Sequence, residues 1–253
     1  MKDRKAEALA AAQACAELLR TRFGARRVVI FGSLVGEGPW HDRSDIDLAV
    51  EGLAGEDFFA AYSACCDLLP PGLELDLVPL EDAYPEMRAR ILGEVEMPKD
   101  PISALKGLIE DELTALERVA QEMEDLLGVC AQPPTRTELR AMASMLHEFY
   151  NGVERIFQRI ATHLGEGVPR GEYWHVDLLN QMAEEQEGIR PAVLDERLQA
   201  RLRDYLDFRH FFRHAYGYTL EWVKIRPLAE GMPETLEALR EQLMAFLGSL
   251  KEP

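Results

Sequence analysis

The feature that most constrains the fold is a change in hydrophobic pattern near residue 97. Before it, three short runs rich in β-branched and aliphatic residues alternate with helical patterns; the runs span residues 27–31, 45–50 and 73–78. After the Pro-Lys-Asp-Pro stretch at residues 98–101, strand-type alternation does not recur. A chain of 253 residues also exceeds the usual size of one domain. We therefore expect an α+β domain over residues 1–97 and an all-α domain over residues 102–253.

Helical spacing of apolar residues predicts the remaining elements. In the first half, helices are expected at residues 2–22, 56–69 and 84–92. In the second half they are expected at about residues 102–128, 136–164, 173–187, 195–217 and 233–250. Proline- and glycine-containing stretches separate the second set, including the one from Pro227 to Pro233. The second half is therefore predicted to be a bundle of four or five helices.

The charge distribution limits the partners that the chain can bind. The formal net charge is −17 at pH 7, which disfavours non-specific binding to nucleic acid because phosphates are repelled. Between Arg197 and Arg226, however, the sequence is rich in arginine and histidine. This concentration predicts a local basic patch. The alternative is a solvated helix face whose cations pair with neighbouring acids such as Asp207.

The compartment follows from segments that the sequence lacks. No stretch approaches the roughly 20 apolar residues needed to cross a bilayer. The first 20 residues form a charged amphipathic pattern and not a signal peptide. The four cysteines form no CxxC pair and have no zinc-ligand spacing. We therefore expect a cytoplasmic protein without a membrane partner.

A glycine, a serine and three aspartates form the strongest chemical pattern in the first half. Gly32-Ser33 follows the first predicted strand, and Asp45 and Asp47 are two residues apart on the second, so both carboxylates share one face. Asp76 lies on the third strand between two leucines. Clustered carboxylates repel one another unless a divalent cation lies between them, and Mg²⁺ prefers oxygen ligands. Gly32 allows the backbone to approach a nucleotide phosphate, and the Ser33 hydroxyl can bind a phosphate oxygen.

The order strand, GS, loop, SDIDL, helix, strand, LDLV resembles the DNA polymerase β-like nucleotidyltransferases, in particular the minimal nucleotidyltransferases. The resemblance covers residues 1–97, and the loop is one residue longer than the family pattern. It implies a small mixed sheet flanked by helices. It further implies that ATP and Mg²⁺ are the cofactors, with Gly32 and Ser33 at the nucleotide and Asp45 and Asp47 at the metal. Asp76 would hold a second metal ion or accept the proton of the attacking hydroxyl.

A second pattern combines cations and aromatic residues at the end of one predicted helix. Arg209, Arg213 and Tyr216 share a stripe, because they are spaced by four and three residues; His210 and His214 lie on the adjoining stripe. A histidine can exchange a proton with a ribose hydroxyl, and an arginine can stabilise charge that develops on phosphorus. Arg209 and His214 are therefore candidate residues for RNA cleavage without a metal. Simple helix stabilisation by cations at a carboxyl end is the alternative.

The Arg-x4-His-x-Tyr spacing resembles the HEPN ribonucleases, in the form of the toxin partner of minimal nucleotidyltransferase antitoxins. The resemblance spans residues 102–250, including the runs at 147–157 and 172–179. It implies a homodimer with RNA bound in a shared cleft. It also implies that the nucleotidyltransferase domain adenylylates Tyr216 and so restrains the ribonuclease. The nearby Tyr218 is a competing acceptor.

Two other functions remain open at this point. A nucleotidyltransferase that modifies a small molecule such as an aminoglycoside would suit an acidic surface, with the helical half as a substrate lid. That interpretation leaves the cations around Arg209 unexplained. In a third interpretation, the helical half serves only for dimerisation. Separately, His147 and His175 lie in aromatic, helical surroundings and are expected to be hydrogen-bonded packing residues and not catalysts.

Overall fold

The computed structural model describes residues 2–36, 40, 44–95, 100–214 and 220–250, without the side chains of residues 2, 3 and 214. The chain divides into two compact units, Met1–Met97 and Pro98–Pro253. The first contains helices and a sheet, and the second contains helices, which confirms the predicted α+β organisation. In the described part of the chain, no helix is long and apolar enough to cross a membrane.

The first unit has three helices and three strands in its described part. They are α1 (Lys2–Phe23), β1 (Arg27–Phe31), β2 (Ile46–Glu51), α2 (Phe58–Cys66), β3 (Leu75–Pro79) and α3 (Pro85–Ile91). The strand order is β1-β2-β3, with β1 antiparallel and β3 parallel to β2. The sheet is therefore mixed, as the sequence resemblance implied. The α2 helix connects the two parallel strands, which a tight turn cannot do.

The two faces of this sheet pack against different helices. Alternate residues of β2, such as Ile46 and Leu48, join the core that contains buried residues of α1 and α2. The residues between them face the other way, where Ala49 packs with Phe31 and with Ile91 of α3. Both faces are therefore covered along most of the strands. By the same alternation, Asp47 lies on the α3 side of the sheet.

The second unit consists of five helices in its described part. They are α4 (Pro101–Val129), α5 (Arg136–His163), α6 (Trp174–Ala183), α7 (Glu196–His214) and α8 (Trp222–Ser249). Their buried apolar side chains form one continuous core. Close packing of α4 against α5 depends on Gly152, where a Cβ atom would lie 2.5 Å from the Leu116 side chain. Thr135 and Glu138 form a capping box that starts α5.

The start of α8 corrects the sequence prediction. A helix was expected from residue 233, but α8 begins at Trp222 and contains both Pro227 and Pro233. Each proline removes a backbone hydrogen bond, at a cost of about 3 kcal/mol in a helix interior. The helix continues because its apolar stripe is buried on both sides of the prolines, at Ile225, Ala229, Met232, Leu236 and Leu239. The α6 helix was also predicted to be longer than it is, since it ends at Ala183.

Candidate functional site

The sheet brings Asp47 and Asp76 together at one end. They are register partners across the parallel pair β2–β3, and Phe31, the last residue of β1, is the partner of Asp47 on the other side. Opposite residues of neighbouring strands project to the same face. Because Asp47 is near the start of β2 and Asp76 near the start of β3, both carboxylates lie at the same edge, where Asp76 is exposed.

Gly32 lies directly against Asp47. A Cβ atom at Gly32 would be 2.2 Å from Oδ2 of Asp47, and the glycine has a φ of +72°. Both facts require glycine, since any other residue would clash and would adopt the left-handed region at a cost. Ser33 follows in a single 3-10 turn, Gly32–Leu34, immediately after β1. The GS pair and the Asp47 carboxylate therefore belong to one site.

Asp45 precedes β2 and belongs to the same acidic group. Although Asp45 is exposed as a residue, desolvation of its carboxylate and the nearby charges of Glu74 and Asp76 raise its pKa to about 6. The Arg4 guanidinium of α1 acts in the opposite direction. Desolvation and the neighbouring carboxylates both disfavour the charged form of Asp45, and a bound cation would stabilise that form.

The donor set suits a magnesium ion that takes most of its ligands from elsewhere. Among the described residues, no group of three or more histidine, cysteine, aspartate or glutamate side chains is arranged to hold a metal by itself. Mg²⁺ typically uses one or two carboxylates, with water and phosphate oxygens as the other ligands. The Asp47 carboxylate beside Gly32, and Asp45 two residues before it, meet that lower requirement. Most of the loop between Ser33 and Asp45 lies outside the described residues.

In the second unit, Arg209 is buried and has three polar neighbours. Its Nε donates to Oδ1 of Asn151 at 2.6 Å, its Nη2 donates to Oε1 of Glu154 at 3.1 Å, and its Nη1 lies 3.2 Å from Nδ1 of His175. Only 8% of the side-chain surface of Arg209 is exposed. Most of its hydrogen-bonding capacity is therefore used within the helical unit.

His175 completes this buried group. Its Nδ1 lies 2.5 Å from Oε2 of Glu154, its ring packs against Trp174 at an interplanar angle of 33° with centroids 3.7 Å apart, and the ring of His210 contacts it edge-on at 5.4 Å. Burial raises the pKa of Glu154, while Arg209 and His210 oppose the rise. Burial, together with the charges of His175 and Arg209, lowers the pKa of His210. We call Asn151, Glu154, His175 and Arg209 the polar cluster.

The other two predicted residues of this motif are not described in the same detail. The backbone of His214 is the last residue of α7, and its side chain lies outside the described residues. Tyr216 and Tyr218 also lie outside them. The roles of His214 and Tyr216 therefore stay predictions.

Much of the positive charge of the expected basic patch is offset by ion pairs, and Asp207 is a partner as the alternative interpretation expected. The pairs are Arg197 and Arg201 with Glu234, Arg203 with Asp207, Lys224 with Glu221, and Arg226 with Glu230. Arg197 and Arg201 share one carboxylate, and Arg209 pairs with Glu154, so among the described residues most of the positive charge of this region is offset. A binding surface for RNA on this part of the chain cannot rest on bulk charge.

A cavity of about 460 Å³ lies between α7 and α8, and its lining includes Asp204, Asp207 and Phe211. Residues 204, 207 and 211 occupy one side of α7, whereas Arg209 and Arg213 occupy the opposite side, since a helix turns by about 100° per residue. The acidic side chains that line the cavity and the Arg209 side chain of the polar cluster therefore lie on different sides of α7.

Asn151 and Glu154 belong to the candidate site through their contacts with Arg209, and the sequence analysis did not single them out. Both lie on α5 more than 50 positions before Arg209, so no local spacing connects them to it. The available signal was the run at 147–157, which was noted only for its resemblance. Glu154 also lies among the apolar residues of the buried stripe of α5. A buried carboxylate requires a charged or hydrogen-bonding partner, so its position in the sequence indicated a polar contact there.

Comparison with known proteins gives one match. Residues 141–250 match the family model described as HepT-like protein, and this range includes most of α5 and all of α6, α7 and α8. No curated protein and no solved structure matches the chain. The match contains every residue of the polar cluster and ends within the last residues of the described chain. Residues 141–250 therefore carry a HepT-like domain.

Proposed function

We propose that this chain is an adenylyltransferase joined to a HEPN-type ribonuclease, in which the first unit transfers AMP from ATP to Tyr216 and so restrains RNA cleavage by the second. One observation supports the first half above all others: Asp47 is paired in register with Asp76 and lies against Gly32, next to Ser33. The HepT-like match supports the second half. A domain of this type is a ribonuclease candidate, and the first unit of the same chain would be the partner that modifies it.

Each residue at this end of the sheet has a separate role in the proposed transfer; the residues are Gly32, Ser33, Asp45, Asp47 and Asp76. Gly32 and Ser33 bind the phosphate groups through backbone and hydroxyl. Asp45 and Asp47 would hold Mg²⁺, which supplies positive charge that offsets the charge of the triphosphate. Asp76 accepts the proton of the Tyr216 hydroxyl. The tyrosine oxygen then bonds to the α-phosphorus, the bond from that phosphorus to the bridging oxygen breaks, and pyrophosphate leaves.

Modification at Tyr216 would act on the ribonuclease by size and charge. An AMP group carries one negative charge and is larger than the tyrosine ring itself. Tyr216 is two residues from His214 and seven from Arg209 in the sequence. A phosphate attached there would repel the RNA backbone and occupy the space that RNA needs. Joining both units in one chain also raises the effective concentration of the acceptor.

Intact-mass measurement of the full-length protein tests this function. Incubation with ATP and Mg²⁺ is expected to add the mass of AMP, and peptide mapping is expected to place it on Tyr216. Asp47→Asn should lower the rate of AMP addition by at least about 100-fold, because it removes a carboxylate that would bind the Mg²⁺ ion beside the phosphate groups. The matched control is Asp57→Asn in the exposed 3-10 turn before α2, which should react at the normal rate.

Two substitutions identify the acceptor. Tyr216→Phe should abolish the added mass, and Tyr218→Phe should leave it unchanged. A wild-type protein that gains no AMP under these conditions contradicts the transferase. A label that persists in Tyr216→Phe contradicts only the choice of acceptor.

The burial of Arg209 favours a second candidate for the helical half, namely a dimerisation scaffold without catalysis. Three polar neighbours hold its guanidinium inside the unit, where it stabilises packing and reaches no phosphate. The two candidates differ in one outcome. A scaffold leaves RNA intact in every protein form, whereas a ribonuclease cleaves RNA when Tyr216 carries no AMP.

A further inference from the structure

We propose that Arg140 of α5 and Arg213 of α7 bind phosphate groups of single-stranded RNA, one on each side of His147. This inference rests on the ribonuclease function proposed above, and it leaves the roles predicted for Arg209 and His214 unchanged. It adds a surface that holds the RNA strand next to that motif. We call Arg140, His147 and Arg213 the phosphate track.

Contacts between α5 and α7 establish which face of α5 is involved. Glu154 contacts Arg209, and the ring of His147 packs against that of Phe212 with centroids 5.6 Å apart. Residue numbers fall along α5 as they rise along α7, so the two helices run antiparallel. Because α7 ends at His214, the same face of α5 continues beyond the end of α7, toward the first residue of α5.

Arg140 lies on this continuing face. It precedes His147 by two helical turns, which is about 10 Å along the axis and only about 20° around it. Arg140 is exposed, and so is Arg136, the first residue of α5. A cation at the amino end of a helix opposes the macrodipole. Helix stability therefore does not account for the positive charge at this end of α5.

Arg213 approaches the same face from α7. Its side chain is exposed, one residue before the end of the helix. Burial lowers the pKa of His147, and the positive charges of Arg209 and Arg213 lower it further. The guanidinium of Arg213 is therefore within electrostatic reach of α5. The phosphate track runs from Arg213 past His147 to Arg140.

The two arginines keep their charge available for a ligand. Among the described residues, neither Arg140 nor Arg213 forms an ion pair, whereas Arg203 and Arg226 are each paired with an acid four residues away. A guanidinium has five N–H donors, and a phosphate group offers acceptor oxygens. On a chain with a formal charge of −17, exposed cations without an acidic partner are where an RNA strand meets the least repulsion.

His147 adds a polar atom that the packing of α5 does not satisfy. Its Nδ1 is buried and has no hydrogen-bond partner within the described part of the chain. Because such an atom lowers stability, packing does not explain a histidine at this position. RNA is favoured over an acidic protein as the ligand, since Arg213 lies between Arg209 and His214 in the predicted ribonuclease motif.

Fluorescence anisotropy tests the phosphate track with a labelled single-stranded oligonucleotide that carries 2′-O-methyl groups. This probe is bound without cleavage, because the cleavage reaction needs a free 2′-hydroxyl. The protein is full length, and its intact mass shows no added AMP. The double variant Arg140→Ala/Arg213→Ala should lower the slope of log K against log salt by about 1.4, since each contact with a single strand contributes about 0.7. At about 0.1 M salt this corresponds to binding that is about 25-fold weaker.

The matched control is the double variant Arg203→Ala/Arg226→Ala. It removes the same formal charge from exposed positions of the same unit, and it should bind the probe with nearly the parental affinity and salt slope. Circular dichroism should show that both double variants are folded. With cleavable RNA, Arg140→Ala/Arg213→Ala should raise KM and leave kcat unchanged, because contacts away from the reacting bond stabilise substrate and transition state equally.

The outcomes separate the phosphate track from the proposed function. If the parent cleaves RNA and Arg140→Ala/Arg213→Ala binds the probe with the parental affinity and salt slope, the track is wrong while the ribonuclease stands. Equal losses in the two double variants would show an effect of net charge alone and would also overturn the track. If the parent binds the probe through these residues and leaves RNA intact, the ribonuclease is wrong while the track stands. A parent that does neither overturns both.

Discussion

At the scale of single residues, Gly32 controls the position of the Asp47 carboxylate. Two properties of this position require glycine. Its φ is positive, and an added Cβ atom would lie only 2.2 Å from Oδ2 of Asp47, which is a steric clash. Gly32→Ala should lower the rate of AMP addition by at least about 100-fold, because moving a reacting group by about 1 Å has an effect of that size. The rate is measured by intact mass over time with ATP and Mg²⁺.

Gly24 provides the matched control for this prediction. It has a φ of +70°, and a Cβ atom there would meet nothing within 4 Å. Gly24→Ala should therefore have the backbone penalty alone, about 1–2 kcal/mol, and should transfer AMP at nearly the normal rate. Equal rates in the two variants would mean that the Gly32–Asp47 contact has no part in the transfer.

Single residues also show what the sequence could and could not predict of the sites. The convergence of Asp47 and Asp76 follows from two-residue alternation on strands that were identified from their own hydrophobic runs. The contact of Glu154 with Arg209 was not predictable in this way. It depends on how α5 and α7 pack, and helix packing is decided by shape over many side chains and not by a local spacing.

At the scale of elements, α5 carries a polar atom that its packing leaves without a partner. Nδ1 of His147 is buried and has no hydrogen-bond partner within the described part of the chain. Desolvation, followed by the charges of Arg209 and Arg213, lowers the pKa of His147 below its usual value near 6.5. A buried imidazole in this position lowers the free energy of unfolding, and it lowers it further at pH values at which the ring would be protonated.

His147→Leu should stabilise the helical unit, and by more at pH 5.5 than at pH 7.5. A group whose folded-state pKa is lowered contributes stability above its unfolded pKa and loses it as the pH falls through the folded pKa. Leucine has no such loss. At pH 7.5 the gain should be about 1 kcal/mol, from removal of an unsatisfied polar atom. The measurement is urea denaturation followed by tryptophan fluorescence, and an equal gain at both pH values would contradict the assigned cause.

The elements differ in how well the sequence predicted them. The bounds of β1 were predicted without error, and those of β2 and β3 within two residues. These strands are short apolar runs with clear turn signals at both ends. The first eleven residues of α8 were missed, because Pro227 and Pro233 were taken as breaks. The free-energy cost of a proline in a helix can be read from the sequence. The burial of apolar side chains of α8 that offsets this cost depends on the other helices of the bundle.

At the scale of the whole molecule, each of the two units has its own core. The helical unit contains one continuous set of buried side chains, and the first unit contains two, one on each face of its sheet. Within the described residues, each of these cores is made of side chains from a single unit. We therefore expect residues 98–253 to fold when produced alone.

This expectation is tested by circular dichroism of the isolated fragment. It should show a helical spectrum and a cooperative thermal transition, as single domains of this size usually do. The transition should match one of those in the full-length protein. A fragment that melts without cooperativity would show that the helical core depends on residues 1–97.

The pairing of β2 with β3 has a consequence for how this protein can change over time. Leu75 and Leu77 are buried and Asp76 faces the other side of the sheet, beside Asp47, because alternate residues of a strand point to opposite faces. Inserting one residue within β3 would exchange the two sets, so that the carboxylate entered the buried interior and leucines took its place beside Asp47. An indel of this kind would disrupt the fold, whereas a substitution at Asp45, Asp47 or Asp76 would remove a carboxylate and leave the strand register intact.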